Sequence, residues 1–162
     1  MKRRPETEPT ISQMFALFEP AAREAFSFLI SDYGFEHTGT VINVPQCEVL
    51  LRNTTTGAVI LYEINDSPEV LLQKLTHTPP TNITVVEEYS VHFLIKERCP
   101  DKVIQAVVDD WDLETIRQIL NDYSAALKEC GRDILTGDFS IFPQLKLRAR
   151  KNQERKNREL YG

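Results

Sequence analysis

The chain has 162 residues, 41% of them hydrophobic and 27% charged, with 19 Lys and Arg against 24 Asp and Glu for a formal net charge of −5. That balance excludes collagenous, mucin-like and wholly disordered chains. A single domain of this size buries roughly 70% of its unfolded surface and needs no metal or disulfide staple, and no run approaches the ~18 apolar residues of a membrane-spanning helix.

Residues 1–9 are polar, carry two prolines and read as a disordered tail. The basic start, Met1 to Arg4, is followed by Glu6 and Glu8 rather than an apolar stretch, so the expectation is a cytoplasmic protein without an export signal. From Ile11 the apolar residues step at three and four: Ile11, Met14, Phe15, Phe18, Ala22, Phe26, Leu29, Ile30, Tyr33. Pro20 falls within that pattern and either kinks one helix or, the preferred reading, opens a second, where its missing N–H costs little. Gly34 is the helix stop.

The texture changes at Phe35. Val41 to Val44, Cys47 to Arg52 and Ala58 to Ile64 are β-branched or apolar runs separated by turn residues, so residues 36–64 predict a three-stranded antiparallel meander. Gly57 is assigned a positive φ in the second turn. Residues 67–99 admit more than one reading. Ser67-Pro68-Glu69 resembles a helix start, yet Val70 to Leu75 also suits a fourth strand. Thr76 to Asn82, with Pro79-Pro80, predicts a loop. Tyr89 to Lys96 alternates and is read as a strand, ahead of a short helix.

Pro100-Asp101 predicts a short helix through Val108. Asp109, Asp110 and Asp112 then introduce the clearest helix of the chain, with Ile116, Ile119, Leu120, Tyr123, Leu127 and Cys130 on one face and Gly131 at its end. Asp138 to Pro143 is a capped turn into a last helix, which lacks an apolar face after Ala149. The organisation predicted is α+β: an N-terminal helix or helical pair, an antiparallel meander sheet, and C-terminal helices packed on it. Residues 1–9 are a tail, 10–150 one domain, and 151–162 a basic, partly ordered helical extension.

Cys47, Cys99 and Cys130 are odd in number and widely spaced, and are read as separate thiols rather than a disulfide framework or a metal site. His37, His77 and His92 form no i, i+4 pair, and no G-x-S-x-G, P-loop or dinucleotide fingerprint occurs among six scattered glycines. Neither a catalytic set, a metal nor a cofactor is expected. Asp109, Asp110, Asp112 and Glu114 suit a helix N-terminus, where carboxylates meet orphan N–H groups.

Charge is unevenly placed. Residues 144–162 carry seven cations and two glutamates, net +5; residues 1–9 carry net +1; residues 10–143 hold the remaining −11. An acidic body repels nucleic acid and suits a basic protein partner. Glu63, Asp66, Glu87, Glu88, Asp109 and Asp110, acids at strand ends or loops, are the candidate contacts. A second reading is a small metal-dependent hydrolase using Asp109, Asp110 and His92. A third is a nucleic-acid adaptor using Lys146, Arg148, Arg150, Lys151, Arg155, Lys156 and Arg158, although nucleic acid ranks below a protein partner.

Three segments read together also carry a resemblance: Phe26-Ser27-Phe28-Leu29, Tyr33-Gly34-Phe35, and Ile134 to Pro143 with its Gly137-Asp138-Phe139-Ser140-Ile141-Phe142-Pro143 ending. They resemble a set of small bacterial α+β proteins, some of which look like immunity proteins of toxin systems. The resemblance implies an α+β fold and an immunity-type inhibitor; occlusion of a basic partner is what the acidic body suggests. It covers about 25 residues and contains no catalytic position.

Overall fold

The computed structural model describes residues 9–78, 82–104 and 111–161. It is an α+β fold with a five-stranded antiparallel sheet in the order β1-β2-β3-β4-β5, each strand paired with the next in sequence. The helices pack on one face of that sheet.

Helix α1 (Ile11–Ala25) begins with a capping box: Gln13 N–H donates to Thr10 Oγ1 at 3.2 Å, and Thr10 N–H donates to Gln13 Oε1 at 2.8 Å. Phe15, Phe18, Ala21 and Ala22 are its buried residues. Pro20 lies inside this helix and does not open a new one. Its ring is exposed, and burial on both sides of it outweighs the lost bond to the preceding turn. The break comes instead at the fully buried Phe26, before α2 (Ser27–Tyr33). Gly34 ends α2 at φ +68°, and Phe35 N–H closes back on the Leu29 carbonyl at 3.0 Å.

Strands β1 (Glu36–Asn43), β2 (Gln46–Arg52) and β3 (Thr56–Glu63) form the expected meander, with Val44-Pro45, a cis peptide, as the two-residue connection of the first hairpin. Gly57 departs from expectation. It lies within β3 without a positive φ, and its lack of a Cβ leaves room for the Gln73 side chain. The segment after Ser67 resolves as a strand, β4 (Glu69–Thr78), and Thr76 to Thr78, expected in a loop, belong to it, pairing with Thr84, Ile83 and Asn82 of β5 (Asn82–Ser90). Residues 79–81 lie outside the described residues.

The strand expected from Tyr89 to Lys96 is mostly helix α3 (Val91–Arg98). Ser90 decides it: its Oγ accepts the His92 N–H at 3.2 Å, and Val91, Leu94 and Ile95 then bury at helical spacing. No helix starts at Pro100; residues 100–104 form a turn and an irregular segment, and the rest of the expected helix falls outside the described residues. Helix α4 (Leu113–Cys130) is capped by Asp112, whose side chain accepts from Glu114 N–H and from Thr115 Oγ1. A short α5 (Arg132–Leu135) follows Gly131, and α6 (Phe142–Tyr161) runs for 20 residues.

The core lies between the sheet and this helical layer. Tyr62 of β3 stands at its centre, tilted on Phe18 at 5.3 Å and edge-on to Phe15 at 6.3 Å and Trp111 at 5.6 Å between ring centroids. The cysteines depart from the expectation of separate thiols. Cys99, just past α3, and Cys130, the last residue of α4, form a disulfide, which leaves Cys47 free and buried on β2. Spacing in sequence cannot show that two helix ends meet. No described helix is long and apolar enough to cross a membrane.

Candidate functional site

Two surfaces stand out, one on each side of the sheet. The first is the face turned away from the helices. Alternation sends Cys47, Val49, Leu51, Ile60, Tyr62, Val70 and Leu72 into the core, and their neighbours to the other side. There Leu50, Val59 and Leu71 stand directly opposite one another across β2, β3 and β4. Leu61 lies beside Val59, and Val41 extends the apolar surface on β1, 46% exposed. Val59 at the centre is buried, 4% exposed, while Leu50, Leu61 and Leu71 are half-buried, and none of the four belongs to the core cluster.

Charge borders this stripe. Glu36, Glu48, Glu63 and Glu88 belong to the same face by register, with Arg52 as its cation among the described residues. Gln73 crosses from β4 to donate through Nε2 to Glu88 Oε2 at 2.7 Å. An apolar centre with an acidic rim is the layout of a protein-docking patch.

The second surface is a groove between α3 and α6. Arg148, Lys151, Asn152 and Arg155 recur at three and four residues along one face of α6, and Phe93 and Lys96 face them from α3. They enclose a cavity of about 190 Å³. Arg148 pairs with Glu97, also on α3. A larger cavity of about 500 Å³ shares Phe93 and Asn152 and continues to Ser90, His92, Tyr123 and Lys156, with Asp66 and Glu69 at its far lip. Burial raises the Tyr123 hydroxyl to about 12, with Glu69 adding to the shift, so it is a neutral hydrogen-bonding group there. Desolvation, and then Lys96, hold the exposed His92 below the usual histidine value, with Glu69 opposing.

A scan of family models and searches of curated proteins and solved structures find no match to this chain. The functional reading therefore rests on these two surfaces.

The six acids singled out from sequence do not form one cluster. Glu63 and Glu88 share the open face, but Glu63 pairs with Gln46 at the end of β3 while Glu88 pairs with Gln73 on the far side of β4. Glu87 belongs to the helix side, opposite Lys74, and accepts from Tyr89 Oη at 3.4 Å. Asp66 is at the lip of the α3–α6 groove. Asp109 and Asp110 lie outside the described residues, and so does any convergence of those two with His92. Among the described residues no group of three or more His, Cys, Asp or Glu could hold a metal.

The seven C-terminal cations all belong to α6. Arg148, Lys151 and Arg155 line the basic cavity, Lys156 the larger one, and Arg150 is near enough to Tyr89 to oppose the rise that burial and Glu87 impose on its hydroxyl. Lys146 and Arg158 line neither. Sequence reasoning missed Lys96 and Phe93, which fall on the groove only once Val91–Arg98 is helical. The signal that finds them is Ser90 as an N-cap. Cys47 offers no nucleophile: burial, with Glu19 and Glu48 adding, pushes its thiol up to about 11.

Proposed function

We propose that this chain is a protein-binding module that docks a basic partner on the open face of its sheet, acting as an immunity-type inhibitor by occlusion. The observation that carries the reading is the stripe Leu50–Val59–Leu71, half-buried at Leu50 and Leu71 and buried at Val59, on the sheet face turned from the core and bordered by Glu36, Glu48, Glu63 and Glu88, with Arg52 as its cation among the described residues. Apolar contact supplies affinity, and the acidic rim steers and selects a cationic partner. The −11 carried by residues 10–143 extends the same field over the body. The inhibitor part of the reading rests on the resemblance of Phe26 to Leu29, Tyr33 to Phe35 and Ile134 to Pro143 to small bacterial α+β proteins, some of them immunity-like.

The test compares the wild type with the combined Glu48→Lys, Glu63→Lys, Glu88→Lys variant as bait in extracts of the native host. The wild type is expected to retain a basic protein that about 0.5 M salt releases. The variant, melting at a similar temperature, is expected not to retain it. Equal retention by both baits rejects the open face as the docking surface.

A further inference from the structure

The groove between α3 and α6 has a charge layout that the sheet-face reading does not use. Lys96, Arg148, Lys151 and Arg155 surround its small end. Only Arg148 has a close carboxylate, Glu97; Arg155 stands 3.9 Å from Glu159. Lys96 and Lys151 make no ion pair among the described residues. Four like charges around one cavity repel each other unless an anion joins them. α6 also continues to Tyr161 although its last buried residue is Leu145, so burial does not account for its outer half.

The two ends of the groove differ. The larger cavity shares Phe93 and Asn152 with the cationic one and adds Tyr123, the carboxylates Asp66 and Glu69, and a single Lys, Lys156. A nucleic-acid strand would bring successive phosphates against those two carboxylates. A short ligand with a single anionic end would not. The larger cavity, about 500 Å³, falls within the roughly 300–1,000 Å³ range of small-ligand sites, and the cationic one, about 190 Å³, has room for a phosphate group beside it.

We infer that this groove binds a small phosphate ester of nucleotide size, with its phosphate among Lys96, Arg148, Lys151 and Arg155 and its flat or hydroxyl-bearing body along Phe93 and Asn152. The guanidinium groups give a phosphate paired N–H donors, and the lysines add point charge. Phe93 supplies a wall for a ring. The carboxylates at the far lip accept from hydroxyl or amino groups. This site is independent of the open sheet face, so either can fail without the other.

Calorimetric titration of the full chain with inorganic phosphate, adenosine monophosphate and a short oligothymidylate tests it. The monophosphate is expected to bind at least about tenfold more tightly than phosphate at the same ionic strength. Lys151→Glu with Arg155→Glu, both exposed, is expected to lower both affinities by about tenfold or more. Phe93→Ala is expected to remove the advantage of the nucleotide over phosphate. Because Phe93 also packs on the core, Asn152→Asp serves as a second probe, expected to weaken both ligands with unchanged melting. No binding by any probe, a nucleotide no better than phosphate, or indifference to the charge reversal overturns the proposal. A tighter, steeply salt-dependent oligothymidylate complex overturns it in favour of a strand-binding groove.

Discussion

Arg98 grips Asp133 through both guanidinium nitrogens, Nη1 and Nη2 each 2.7 Å from a carboxylate oxygen, while Nη1 also donates to the Cys130 carbonyl at 2.6 Å. The pair ties the end of α3 to α5, beside the disulfide that joins α3 to α4. Bidentate geometry makes it stronger than an ordinary surface ion pair. The hydrogen bond from Arg98 holds the Asp133 carboxyl below the usual carboxylate value. A depressed folded pKa stabilises the fold above the unfolded value of about 4 and loses that contribution as pH falls through the lower folded value. Asp133→Asn is expected to cost about 1–2 kcal/mol at pH 7. Urea unfolding of both proteins as a function of pH should show the difference shrinking below about pH 4.

Asn53 joins three parts of the fold. Its Nδ2 donates to the Tyr33 carbonyl at 3.1 Å and the Leu135 carbonyl at 2.9 Å, and its Oδ1 accepts from Thr55 and Thr56 N–H at 3.0 and 2.8 Å. Thr56 adds a bond from Oγ1 to the Ile134 carbonyl at 2.7 Å. The β2–β3 turn is thereby fastened to the end of α2 and to α5. Asn53→Ala strands several half-buried polar groups, and a loss of about 2–3 kcal/mol is expected in thermal or urea unfolding. Asn53→Asp sets an acceptor-only carboxylate oxygen against the Tyr33 and Leu135 carbonyls and is expected to destabilise the fold at pH 7 although Thr55 and Thr56 N–H keep their acceptor.

Most of the fold was legible because local chemistry and burial agree. Asp112 as cap, the helical spacing from Ile116 to Cys130, and the β-branched runs of β2 and β3 point to the same elements at both levels. Val91 to Arg98 was not legible, because Val91, Leu94 and Ile95 satisfy helical spacing while Val91, Phe93 and Ile95 alternate like a strand. The capping bond from Ser90 breaks that tie, and a run of apolar residues does not display it. The candidate surfaces were half legible. The cations of α6 and the acids Glu63 and Glu88 are visible in sequence. The row Leu50–Val59–Leu71 exists only through cross-strand register, and Lys96 meets α6 only through tertiary packing.

The Cys99–Cys130 disulfide closes a loop between residues 31 apart. Loop-closure entropy assigns it about 3–4 kcal/mol. Reduction, or Cys130→Ser, is expected to lower stability by that order, read from urea midpoints with and without reductant. Cys47 supplies an internal control, since it is buried and its thiol is raised to about 11. Alkylation at pH 8 should label no cysteine in the native oxidised protein. Prior reduction should add Cys99 and Cys130, and Cys47 should react only after denaturation. Labelling of Cys99 without reductant would contradict the disulfide.

Pro20 is the clearest place where the sequence works against its own element. It interrupts α1 between Phe18 and Ala21, both buried, while its ring faces solvent. The helix forgoes one backbone bond there and accommodates the ring against the preceding turn, a cost of about 3 kcal/mol in a helix interior. Pro20→Ala restores the N–H and the best helix former. It also frees the unfolded chain, which returns about 1 kcal/mol of the gain. A net stabilisation of about 1–2 kcal/mol is expected, a rise of a few degrees in melting temperature for a domain of this size. A lower melting temperature would mean instead that α1 accommodates Pro20 without that cost.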